Sequence, residues 1–113
     1  MEDTILLNET TALIVRDLGF ESTTPILTES ALLEEVAVVV AYMIEHKLDL
    51  LLSTMYRMDI DEVKIHDALN SHQDFEPVNY RLAKLIIERQ KKRVLTKHSF
   101  KIKNSNPEMW EDV

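Results

Sequence analysis

The sequence predicts an all-α fold: a single-domain bundle of four to five helices, ending in a long basic C-terminal helix. Three observations predict it. The 113 residues include one glycine and three prolines. Sheets and long loops use glycine at tight turns, where the backbone needs positive φ; a helical bundle does not. Apolar residues recur at intervals of three and four along residues 28–97, the period of one helix face. The composition, 45% hydrophobic and 29% charged, is that of a globular chain rather than a disordered one. A chain of this size buries one core. A single helical domain is therefore expected over 1–103, with 104–113 as a loosely ordered tail.

The first segment, Ile5 to Leu18, reads as a short helix. Asn8 is its expected cap, Leu7, Thr11, Ile14 and Leu18 share one face, and Gly19 is the expected stop. The β-branched Thr10, Thr11, Ile14 and Val15 weaken a helix, so a strand through Ala12 to Arg16 is the alternative. Glu21 to Pro25 is a connector.

The second helix has clearer signals. Thr28 supplies an N-cap and Glu29 an acid at the positive end of the helix dipole. Leu27 and Leu32 hold the positions of a hydrophobic staple. Leu32, Val36, Val39 or Val40, and Met43 recur at helical spacing as far as about His46. Val36 to Ile44 is apolar on every side, which predicts the most buried helix, or one shared with a second protomer. Asp49 is the expected cap of a third helix after a bend at Lys47–Leu48, with Leu51, Leu52 and Met55 inward. No Pro or Gly enforces that bend, so one continuous helix is the alternative. Asp59 and Glu62 have capping-box spacing, and Met58 with Val63 makes another staple. The fourth helix is expected to carry Val63, Ile65, Ala68 and Leu69 as far as Asn70, followed by a polar loop over Ser71 to Glu76.

Pro77 suits the first turn of the last helix, where Val78, Leu82, Leu85 and Ile86 form a buried stripe flanked by Ile87. Gln90 to Arg93 is polar on every side. That turn is not expected in a core, so the helix is expected to project past the body or to dock on another surface. Val94 and Leu95 favour docking. Phe100 and Ile102 alternate with Lys101 and Lys103, the pattern of a short extended segment.

Charge is segregated. Residues 1–80 carry a net −12 and residues 81–103 a net +8, in a chain of −7. The overall charge opposes long-range attraction to nucleic acid or anionic lipid. The basic helix is expected to lie against its own acidic neighbours, as charge runs on helices commonly do. The longest apolar run, nine residues from Val36 to Ile44, falls short of the ~20 needed to span a membrane. With no cysteine and an acidic Met1-Glu2-Asp3-Thr4 start, a cytoplasmic protein is expected.

The catalytic vocabulary is thin. Without cysteine there is no thiol nucleophile and no Cys-ligated metal. A single glycine does not build a phosphate-binding glycine loop. No serine sits in a nucleophile elbow. The histidines are His46, His66, His72 and His98, and none follows a Glu by three residues, the spacing of helical di-metal sites. Asp59, Asp61 and Glu62 resemble the opening of a calcium loop but lack its glycine. No catalytic residue, metal ligand or cofactor is expected, and the chain is read as a non-enzyme.

The candidate contacts to a partner or an anion are basic: Arg57, Arg81, Lys84, Arg89, Lys92, Arg93 and Lys97. Arg57 follows Tyr56 between two methionines; Arg89 and Arg93 continue the buried stripe four residues apart. Each has a structural reading beside the functional one, a long stem over apolar surface with the head paired to an acid.

Two stretches, Leu52-Ser53-Thr54-Met55-Tyr56-Arg57-Met58-Asp59-Ile60-Asp61-Glu62 and Leu85-Ile86-Ile87-Glu88-Arg89-Gln90, resemble those of small, uncharacterised all-helical bacterial proteins of this size. The resemblance covers residues 28–100; it implies a bacterial cytoplasmic protein and brings no activity with it.

The function expected is a helical protein-interaction module that binds a protein partner or itself. A homodimer would account together for the basic turn, the Val36–Ile44 run and the tail with Trp110. Nucleic-acid binding through Arg81 to Lys103 is one alternative. A small-ligand or metal site near Tyr56, Arg57 and His66 is the other.

Overall fold

A computed structural model describes residues 3–21, 25–70 and 75–104. Among them stand five helices and no strand: α1 (Asp3–Leu18), α2 (Glu29–His46), α3 (Leu48–Arg57), α4 (Glu62–Asn70) and α5 (Val78–Asn104). The expected tail with Met109 and Trp110, part of the Glu21–Pro25 connector and the start of the Ser71–Glu76 loop with His72 lie outside the described residues. No helix among the described residues is long and apolar enough to cross a membrane.

α1 is helical in spite of its β-branched run, and the strand alternative falls. Ile14 is fully buried, so tertiary packing offsets weak local propensity. Thr11 donates its hydroxyl to the Leu7 carbonyl at 2.8 Å. The helix already runs from Asp3, so Asn8 sits in mid-helix and caps nothing. Gly19 ends it as expected: its φ is +68° and its N–H donates to the Val15 carbonyl at 2.8 Å, the αL stop that favours glycine.

α2 begins as read from the sequence. The Thr28 hydroxyl accepts from the Ala31 N–H at 3.0 Å. The staple does not form, because Leu27 is 79% exposed; Ile26 packs on the core in its place. Val36, Ala37, Val40 and Met43 are buried, but Val38 is 68% and Tyr42 55% exposed. α2 is thus amphipathic by position rather than buried all round. At Lys47 the chain bends (φ −148°, ψ 48°), which removes the continuous-helix alternative. The Lys47 N–H donates to Met43 and its carbonyl accepts from Leu51. Lys47 therefore ends α2 and opens α3, and Asp49 lies in the first turn as a dipole partner rather than a cap.

The α3–α4 turn differs from the expectation by two residues. Asp59 adopts φ 61°. Its N–H donates to Tyr56 at 3.0 Å, and the Ile60 N–H reaches back to Met55 at 3.2 Å. This pair of bonds is a Schellman stop. An N-cap needs an extended backbone, so a residue closing α3 in the left-handed region cannot also cap α4. Asp61 takes that role, its Oδ1 accepting from the Val63 N–H at 2.9 Å. Val63 is 65% exposed, so the second staple is absent as well; Met58 and Ile60 are buried. Asp59 bears the steric cost of a left-handed L-residue, while its side chain is 84% exposed. Asp59→Gly is expected to stabilise the fold by up to about 1 kcal/mol, read as a higher urea midpoint with unchanged slope.

α5 is the hub and packs against α1, α2 and α4. Leu82, Ala83, Ile86, Ile87 and Val94 are buried along it, and Leu85 packs at the core's edge. Asn79 donates to the Ala37 carbonyl at 3.1 Å, and the Tyr80 hydroxyl donates to Glu34 at 2.6 Å. The Glu34 carboxylate accepting that bond, with some loss of water, raises the Tyr80 phenol above the ordinary tyrosine value. The bond is therefore present below that ordinary value and is lost as pH rises through the raised one.

The polar turn is where the structure departs most from the sequence. Gln90 is fully buried. Its amide donates to Asp17 on α1, and its oxygen accepts from Arg93 at 3.4 Å. Eight residues further along, His98 meets Glu9 at 2.7 Å, so α1 and α5 run antiparallel. The expected projection, or docking on another surface, is replaced by docking on α1, because hydrogen-bonded polar groups can be buried. The expected extended segment at Phe100 to Lys103 is helical. A lone strand would leave its ladder groups unpaired, whereas a helix satisfies them locally.

Candidate arginine cleft

Much of the cationic surface of α5 is neutralised within the chain. Lys84 pairs with Glu76, and Lys91 pairs with Glu29 at 3.0 Å. Arg81 is half-buried and engaged by neighbouring groups. Arg89 donates from Nε to the Met58 carbonyl at 2.8 Å, with Asp59 at 3.9 Å from its Nη2. Arg89 is thus a strut that holds the end of α3 onto α5. Lys92, Arg93 and Lys97 are exposed.

Two clefts border this strut and differ in charge. The first, about 410 Å³, is lined by Asp59, Ile60, Asp61, Lys64, Leu85, Glu88, Arg89 and Lys92. Its three cations face three carboxylates, so it is formally neutral. The second, about 300 Å³, is lined by Arg16, Asp17, Thr54, Arg57, Met58 and Arg93. Three guanidinium groups face one carboxylate there, a formal +2 in a chain of −7.

Three helices assemble the second cleft. Arg16 and Asp17 come from the last turn of α1, just before the Gly19 stop. Thr54 and Arg57 come from the last turn of α3, four residues and one residue before its exit at Met58. Arg93 comes from the middle of α5. Each arginine is steadied by one internal hydrogen bond. Arg16 Nε donates to Asp17 Oδ1 at 3.0 Å. Arg57 Nη2 donates to Thr54 Oγ1 at 3.1 Å. Arg93 Nη1 donates to the Gln90 oxygen. Asp17 uses one oxygen for Arg16 and the other for Gln90, so its charge is turned into the wall. The guanidinium forks keep further N–H donors in hand, and planar forks suit carboxylate or phosphate.

Of the basic candidates named from the sequence, Arg57 and Arg93 meet in this cleft. Arg89 and Lys92 line the neutral one, and Arg81, Lys84 and Lys97 line neither. Tyr56 and His66 are exposed and do not line the cleft with Arg57. No group of three His, Asp or Glu among the described residues is placed to hold a metal ion. Sequence reasoning missed Arg16 and Asp17. The available signal was an arginine in the turn before the only glycine, but nothing local linked it to positions 57 and 93.

No family model, curated protein or solved structure matches the chain.

Proposed function

We propose that this chain is a non-enzymatic helical interaction module that seats an acidic segment of a partner protein in the Arg16–Arg57–Arg93 cleft. The carrying observation is a +2 cleft, built by three helices, on a chain of opposite net charge. Its walls offer donors, and its one carboxylate has both oxygens engaged, which supports binding over acid–base chemistry. In-chain pairing of Lys84 and Lys91 weakens the case for a nucleic-acid surface, because phosphate contacts would have to overcome the −7 charge. A cysteine-free composition suits a cytoplasmic setting.

Self-association is supported by exposed apolar side chains, among them Val38 and Tyr42 on α2. The exposed face also carries Glu34 and Glu45 at its two ends. Antiparallel pairing of two such faces would set acid against acid, which favours a different protein as partner.

Fluorescence anisotropy with a labelled Glu/Asp-rich peptide tests the proposal. The double charge reversal Arg57→Glu with Arg93→Glu is expected to weaken binding by about tenfold or more, from lost charge-assisted hydrogen bonds. Lys92→Glu, in the neutral cleft, should change it less than about twofold. Absence of binding at low salt, or equal losses from both variants, refutes the reading.

A further inference from the structure

We infer that the group seated in the arginine cleft is a phosphomonoester dianion carried on a side chain of the partner protein. This rests on the acidic-segment reading above and narrows it to one chemistry.

Charge matching comes first. The cleft holds Arg16, Arg57 and Arg93 against Asp17, a formal +2. A carboxylate would leave one positive charge unmatched. A phosphorylated side chain carries about −1.5 to −2 at neutral pH and three strong acceptor oxygens. Three arginines approaching from three helices can address three such oxygens, where a carboxylate offers two.

Preorganisation comes second. Arg93 makes a long 3.4 Å contact with Gln90, which is fully buried and tied to Asp17. Asp17 in turn orients Arg16, and Thr54, itself buried, orients Arg57. Arginine side chains held before the ligand arrives lose less freedom on binding it.

The walls identify the carrier. Among the described residues, Met58 is the only apolar one in the lining and no aromatic ring lines the cleft, which gives a nucleobase nothing to stack on there. The cleft is open to solvent, as a side chain reaching in from a partner's backbone requires.

Titration supplies a signature. The second phosphate pKa is near 6, while glutamate titrates near 4.3. Among the described residues, the groups facing the ligand are Arg16 and Asp17 from α1, Thr54 and Arg57 from α3, and Arg93 from α5, with no histidine.

The experiment measures binding of the full chain to an alanine-flanked phosphoserine peptide, its glutamate version, its unphosphorylated version and inorganic phosphate. The phosphoserine peptide is expected to bind about tenfold more tightly than the glutamate peptide. Its affinity should fall several-fold from pH 7.5 to 5.5 while that of the glutamate peptide holds. Arg57→Lys with Arg93→Lys keeps the charge and the fold but not the forks, and should erase the preference for phosphoserine. Equal affinity for the phosphoserine and glutamate peptides overturns this inference and leaves the acidic-segment reading standing. Failure of both peptides to bind overturns both. Inorganic phosphate binding as tightly as the phosphopeptide overturns the protein-borne ligand.

Discussion

Ile86→Ala is expected to lower the unfolding free energy by about 2–5 kcal/mol, the range for truncating a fully buried aliphatic side chain. Ile86 has no exposed surface and sits on the helix against which α1, α2 and α4 all pack. Ile86 belongs to one core cluster that draws buried residues from all five helices, so truncation opens the shared core. The loss is a large part of the 5–15 kcal/mol that holds a domain of this kind folded. Urea unfolding measures it as a lower midpoint with unchanged slope. Leu95→Ala, on the same helix but 44% exposed, should cost under about 1 kcal/mol. Similar losses in the two variants would contradict the placement of α5 at the centre.

Gln90→Leu is the second large effect, expected at about 1–3 kcal/mol of destabilisation. Leucine nearly preserves the volume, so the cost isolates hydrogen bonding from packing. The substitution leaves an Asp17 oxygen without its donor and frees Arg93 from its acceptor. A solvated Gln90 on a projecting helix would give almost no change, since surface substitutions mostly stay within about 0.5 kcal/mol. Thermal melts followed by circular dichroism separate the two outcomes. Under the proposed function the same variant should also weaken binding of the acidic peptide, because Gln90 contacts Arg93 in the cleft.

Some of the structure was legible in single residues. Thr28 acts as a cap and Gly19 as a stop, because these roles depend on the backbone within a few positions; Pro77, expected in the first turn of α5, stands just before it. The Asp59–Asp61 region shows how far such reading reaches. Capping-box spacing pointed to Asp59, but the end of α3 claimed that residue first, and the spacing cannot show which of two helices a shared turn serves. Leu27 and Val63 were read as staples for a similar reason. Both stand at the right sequence position, and both face solvent in the fold.

The arginine cleft was legible only in part. Arg57 and Arg93 stood out in their own segments, yet Arg16 lay in the segment with the weakest helical signal. These three residues share one cleft because α1 runs antiparallel along α5 while α3 ends beside both.

By itself the sequence determined the helical class, most helix boundaries and the apolar faces, since these follow from side-chain period and from caps acting over one turn. Tertiary structure alone decided that α5 rather than α2 is the centre, that a polar glutamine is buried, and which cations gather in one cleft. Those outcomes depend on partners distant in the chain, and a polar group's burial is settled by whether such a partner arrives to bond it.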